Sequence, residues 1–328
     1  MLAAAAACSI WTVTARPQNP LFAGGEISLP PSFPEDPVSA SDGQEEQSER
    51  FHRPSKDLPY PNPYFFSDFV KADGNPPLIS KKFDSSEDVI LAYYGILRDA
   101  SNMLDYSGGC GTIGSAGEPY PYAYELLTAE KQRQISQKQF IESFRGTGYT
   151  TLLKLIPAYA PPGSFPNTAF YMVEIEVITG VKAETEEEYR QGSRFAYYYG
   201  IVTTEYSPDR GWKIGQIRYI PEDFLCAPWH SWFYQSEAVV QIVYGDNLKR
   251  IDQIDRTEQN GSIISIYASG NKGQYRFDFV RLTNGYDILL HEYVLTDGVW
   301  AETTLLTQPW EYLKLTAQPP GFDYHPMG

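Results

Sequence analysis

Between Glu87 and Met103 the apolar positions recur every three or four residues: Val89, Ala92, Tyr93, Ile96, Ala100 and Met103 fall on one stripe. That period predicts an amphipathic helix. Asp84-Ser85-Ser86-Glu87 before it reads as a capping box, with Asp84 accepting from the first turn and Glu87 reaching back. Gly108 and Gly109 end the stretch. Two more helix starts follow, at Thr128 before Ala129-Glu130 and at Ser136 with Gln139 three residues on. In the second of these, Phe140, Ile141 and Phe144 share a face, and Gly146 stops the pattern.

After Gly146 the period falls to two. Tyr171, Val173, Ile175 and Val177 alternate with Phe170, Met172, Glu174 and Glu176, which predicts a strand over 170–177. Phe195–Val202 and Trp212–Ile220 read as the next two. Glu184, Glu186, Glu187 and Glu188 lie in the turn between the first two strands and lack the spacing of a calcium loop. Glu174 and Glu176, by the same alternation, are expected on the solvent face.

From Ser236 to Thr307 the punctuation changes. Turn signals stand at Gly245-Asp246-Asn247, Asn260-Gly261, Asn271-Lys272-Gly273, Asn284-Gly285 and Asp297-Gly298. Asn-Gly and Asp-Gly favour the primed turns that match strand twist, so this spacing predicts a β-meander of five or six strands. It should curl into a half-barrel or lie against the first sheet.

The stretch before Asp84 has no such period. Prolines recur at Pro17, Pro20, Pro30, Pro31, Pro34 and Pro37, and Ser39–Arg50 is polar and charged. A segment with so little to bury is expected to be a disordered tether over residues 9–84. Tyr60, Tyr64, Phe65, Phe66 and Phe69 are too apolar for a free tether and are expected to dock on the folded body. Residues 318–328 read as a flexible tail.

Composition narrows the function. The net charge of −15 disfavours binding to a phosphate backbone, so no nucleic-acid partner is expected. Aromatics make up 15% of the chain, an excess that suits binding surfaces as well as cores. Small residues directly before Cys8, in Met-Leu-Ala-Ala-Ala-Ala-Ala-Cys, resemble the lipobox of bacterial lipoproteins. The resemblance implies a leader over residues 1–8, lipidation of Cys8, export, and a membrane partner through the lipid. With Cys8 so used, Cys110 and Cys226 are left to pair as a disulfide, or to stand as buried thiols.

The order of elements carries a second resemblance. Glu87–Leu104, then Leu127-Thr128-Ala129-Glu130 leading into Ile135-Ser136-Gln137-Lys138-Gln139-Phe140, then long strands, resembles the nuclear transport factor 2-like (NTF2-like) family. This implies an α+β fold over residues 85–228, with helices on a curved antiparallel sheet that forms a cone. The meander then occupies residues 229–317.

Some members of that family are isomerases or dehydratases with a carboxylate and a tyrosine inside the cone. Asp105, Glu174 and Tyr198 are the residues here that could serve. No histidine lies in the strands that would supply the family's dyad, and His52, His230, His291 and His325 show no metal-ligand spacing. Gly108-Gly109-Cys110-Gly111 lacks the lysine of a phosphate loop. No metal or cofactor is therefore expected. Trp229, His230, Trp232, Phe233 and Tyr234 join the two units, either as interdomain packing or as a platform for a peptide or glycan. The sequence thus points to an exported, surface-anchored binding or scaffolding protein, with a cone enzyme as the alternative and an envelope protein, peptide or glycan as ligand.

Overall fold

The computed structural model describes residues 20–28, 58–70, 82–106, 115–182, 194–222 and 231–317. Two sheets organise it. The first is a curved mixed sheet of six strands: β1 (Leu21–Phe22), β2 (Gly25–Ile27), β3 (Thr147–Pro157), β4 (Thr168–Thr179), β5 (Arg194–Ser207) and β6 (Gly211–Pro221). Their order across the sheet is β1-β2-β6-β5-β4-β3; β2 runs parallel to β6 and every other neighbouring pair is antiparallel. The second is an antiparallel meander of β7 (Gln253–Asn260), β8 (Ile263–Gly270), β9 (Gly273–Arg281), β10 (Asp287–Thr296) and β11 (Val299–Thr303). The α+β arrangement is the one the element order implied, with helices before and upon the first sheet.

Helices α1 (Phe66–Val70), α2 (Ser86–Arg98), α3 (Pro119–Glu125), α4 (Ala129–Gln134) and α5 (Gln137–Glu142) accompany the first sheet. Ser85, one residue later than expected, caps α2: its hydroxyl accepts from the N–H groups of Glu87 and Asp88 at 3.1 and 3.4 Å. Thr128 caps α4, and Ser136 with Gln139 forms a reciprocal capping box on α5. Every residue of α2 from Val89 to Leu97 is buried. One side rests on the sheet. The other is covered by residues 58–70, where Asn62 donates to the Leu91 carbonyl at 2.8 Å and Arg98 donates to that of Tyr64 at 3.1 Å. Gly95 permits this approach, since a Cβ there would sit 2.7 Å from the Tyr64 carbonyl oxygen.

The stretch expected to be a tether therefore contributes two ordered pieces. Tyr60, Tyr64, Phe66 and Phe69 pack on the helical core, and residues 20–28 form the β1–β2 hairpin at the sheet edge. The hairpin corrects the sequence reading: its apolar run Leu21-Phe22-Ala23 is too short to show a period, and its burial comes wholly from the surface it meets.

A second correction lies at Ser236–Asn247. Gly245-Asp246-Asn247 was expected to turn between strands, but the chain is helical there, as α6 (Ser236–Val239) continuing into a π-helical stretch, Val240–Asn247. Val239, Val240, Val243 and Tyr244 bury against Ile264, Ile266 and Phe277 of the meander. Of the Asn-Gly and Asp-Gly pairs that follow, only Asp297-Gly298 has positive φ at both residues; at Asn260-Gly261 and Asn284-Gly285 the glycine alone does. Asp297 and Gly298 both take positive φ, at 51° and 79°, between the paired Thr296 and Val299.

The two sheets meet face to face. Phe170, Met172, Tyr199 and Ile201 from the first form one core with Val280, Leu282, Tyr286, Ile288, Leu290 and Leu315 from the second.

Candidate functional site

Strand alternation separates the residues that a cone enzyme would need. Val173, Ile175 and Val177 of β4 face the helices, so Glu174 and Glu176 point to the other side. Tyr198 pairs in register with Ile175 and lies on the helix side, its ring 4.5 Å from that of Phe22. Glu174 and Tyr198 are thus on opposite faces of one sheet. Asp105 is exposed, at a φ of 64°, and ion-pairs with Arg145 at 2.9 Å. The trio proposed from sequence as a catalytic set is not brought together.

The space between helices and sheet is occupied by rings. Tyr93 and Tyr94 stand from α2, Phe140 and Phe144 from α5 and its end, Tyr120 from α3, and Tyr219 from β6; all are buried. Tyr94 and Tyr219 share a hydroxyl–hydroxyl hydrogen bond of 2.8 Å. Burial raises both phenol pKa values, Tyr94 well above its ordinary range; Tyr219 adds to the rise at Tyr94, whereas the hydrogen bond with Tyr94 partly offsets the rise at Tyr219. The hairpin closes this space from outside, placing Ala23 against Tyr93 and Phe22 beside Tyr198.

The buried charges gather instead on the far face, in the seam with the meander. Glu174, fully buried, contacts Lys154 of β3 and accepts from the Thr283 N–H at 2.7 Å. Both carboxyl oxygens of Glu222, just beyond β6, are buried in the same place, and neither reaches a donor in hydrogen-bond geometry among the described residues. The Glu174 carboxyl, the Asn284 backbone N–H and the Tyr199 phenol lie alongside, and the Lys154 charge reaches it. Burial and the neighbouring Glu174 push the Glu222 carboxyl well above the ordinary range, only partly offset by Lys154. The Asn284 side-chain nitrogen is likewise buried without a partner among the described residues.

One lysine facing two carboxyls is balanced when one acid keeps its proton. Burial and the neighbouring carboxyl favour the protonated form of Glu222, while Glu174 pairs with Lys154. The cluster is enclosed by both sheets, so its direct consequence is on how the two units adhere.

Glu174 was expected on a solvent face, and the meander covers that face. Lys154, Tyr199, Glu222 and Asn284 were not singled out by sequence reasoning. A signal existed for one: Lys154 interrupts the apolar run Leu152-Leu153-Lys154-Leu155-Ile156, and it pairs in register with Glu174. For Glu222 there was none, since it follows a strand end at Pro221.

The aromatic joint is described from Ser231 onward. Trp232 meets Phe233 and Trp310 at ring separations of 5.7 and 6.1 Å and packs on the meander core. Tyr234 stacks on Tyr286 at 3.7 Å and 10° in the seam. Trp229, His230, Cys8, Cys110 and Cys226 lie outside the described residues, and with them the expected lipidation and disulfide. Among the described residues no group of three or more His, Cys, Asp or Glu could hold a metal ion, and no helix is long and apolar enough to cross a membrane.

No family model matches this chain, and no curated protein matches it. Among solved structures, a protein titled "Ntf2 like protein involved in plasmid conjugation" aligns over 65% of this chain and 91% of its own, at 10% identity and a TM-score of 0.24. So loose a superposition adds nothing to the architecture already described.

Proposed function

We propose that this chain is a non-catalytic binding or scaffolding protein, held at the cell surface by a lipid on Cys8, whose first unit is NTF2-like. The observation that carries the binding role is the occupied cone. Tyr93, Tyr94, Phe140 and Tyr219 fill the space in which a cone enzyme would take its substrate, and the hairpin covers it. The carboxylate and tyrosine of the enzyme reading face away from each other across the sheet. Both features support a role in which the outer surface, and not the cone, meets the ligand.

The seam supports scaffolding. A shared apolar core and a buried charge cluster between sheets hold two units at a fixed angle, as a presented module requires. Export and anchoring rest on the lipobox resemblance at Ala3–Cys8.

Two measurements test the proposal. The full chain, titrated with steroid-sized apolar ligands and followed by Tyr fluorescence and thermal shift, should show no saturable binding. A stoichiometric complex that Tyr198→Ala abolishes would overturn the occupied-cone reading. Independently, the wild-type chain should sediment with membranes and incorporate labelled fatty acid, while Cys8→Ser should do neither; equal behaviour of the two would remove the anchor.

A further inference from the structure

The meander ends in a strand with no strand beyond it. β7 is eight residues long, lies last in its sheet, and is exposed at every position but Ile254. The long edge of the other sheet, β3, is instead met by Tyr60, whose N–H donates to the Leu152 carbonyl at 2.8 Å. Hydrogen-bond alternation fixes which way β7 turns. The Ser262 carbonyl accepts from Arg281 at 2.7 Å on the β9 side, and the Ser269 carbonyl accepts from Asp252 at 2.8 Å on the β7 side. Ile263, Ser265 and Tyr267 are therefore turned to β7. Their partners Asn260, Glu258 and Arg256 turn back to β8, which leaves the main-chain N–H and C=O of Thr257 and Gln259 pointing off the sheet.

We infer that β7 is where two copies of this chain associate, antiparallel and edge to edge, about a two-fold axis at Thr257. The two five-stranded meanders then continue as one sheet.

Charge selects this register. A two-fold axis sets each residue opposite the one equally far on the other side of Thr257. Arg256 then faces Glu258 of the second copy, and Glu258 faces its Arg256. Asp255 faces Gln259 at each end, and Thr257 meets its mate through the main-chain groups it holds out. Opposite charges across strands stabilise and like charges repel. An axis at Arg256 or at Glu258 would set that residue against itself, and both already spend their main-chain groups on β8. An axis at Gln259 would leave Arg256 opposite Ser262.

The side chains are placed for the pairing. Arg256 lies 3.6 Å from the Tyr267 ring centroid, and its Nε donates to Glu258 Oε1 at 2.7 Å. With a second copy, arginine and glutamate alternate in sign around the axis, each arginine backed by a tyrosine. A strand protected from pairing carries lysine, proline or charges of one sign. β7 has neither Lys nor Pro, and its charges are of both signs. The bulge at Asp255 ends the straight run and bounds the contact. On the opposite face the Thr257 hydroxyl donates to Glu237 at 2.6 Å, so the axis also brings two Glu237 carboxylates toward each other. That cost and the short edge make the dimer a transient one. The inference rests on neither the lipid anchor nor the occupied cone.

Sedimentation equilibrium of the full chain, under reductant and at about 0.05–1 mM, should show a monomer–dimer equilibrium. Thr257→Pro removes an N–H that points off the sheet, so it should abolish the dimer while leaving the circular dichroism unchanged. Arg256→Glu and Glu258→Arg should each weaken self-association at least about tenfold, or about 1.4 kcal/mol. An equimolar mixture of those two variants should associate as wild type does, because each then meets its opposite charges across the axis. That recovery also shows that both variants are folded. A wild-type chain that stays monomeric, a dimer that survives Thr257→Pro, or a mixture no tighter than its separate components would each overturn the inference.

Discussion

Glu222 stands beside Glu174 in the seam between the two sheets, and Lys154, which pairs with Glu174, also reaches the Glu222 carboxyl with its charge. Within this trio Lys154 offsets one carboxyl, so ionising Glu222 adds a buried negative charge beside Glu174.

This sets a pH dependence of stability. The folded pKa of Glu222 is raised above its unfolded value, so its contribution is fully present below about pH 4.3 and is lost as pH rises through the folded pKa. One proton gives a slope of about 1.4 kcal/mol per pH unit across that window. Glu222→Gln should remove the slope and raise the melting temperature at pH 7 to 8 by several degrees. Urea denaturation from pH 4 to 9 reads it directly, and parallel curves for variant and wild type would show that Glu222 does not hold the proton.

Lys154 and Glu174 should behave as a coupled pair. Lys154→Met removes the cation paired with the buried Glu174, leaving it the Thr283 amide, and should cost about 3–5 kcal/mol. Adding Glu174→Gln should recover much of that loss, which chemical denaturation of the single and double variants measures. Simple additivity would mean that the two side chains do not interact.

The Tyr94–Tyr219 hydrogen bond gives a second, independent cycle inside the first unit. Tyr94→Phe strands one buried hydroxyl and should destabilise by about 1–3 kcal/mol, whereas the double Phe variant should lie closer to wild type. Thermal unfolding of the two singles and the double decides it.

At the joint, Trp232→Ala should lower the melting temperature by several degrees, because its ring packs with Phe233 and Trp310 on the meander core. Tyr234→Ala should act on the seam instead, through Tyr286. If Trp232→Ala melts like wild type, the ring is available to a ligand and the platform reading of the joint takes over.

Periodicity, capping and turn chemistry were legible in the sequence because each is local. Ser136 with Gln139 announces α5, and Asp297-Gly298 announces the last hairpin, since the backbone there answers to residues within one turn. The α+β architecture and the order of its elements follow from such signals. What covered each face did not. Alternation alone put Glu174 opposite Ile175, but whether that face meets water or a second sheet depends on chain 109 residues away, where Thr283 donates to it. The hairpin at residues 20–28 is buried only because α2, α5 and β6 present a slot that admits Gly24. Burial is a property of the partner surface, and pKa shifts and recognition follow burial. The tertiary structure therefore decided the site, and the sequence decided the pieces from which it is built.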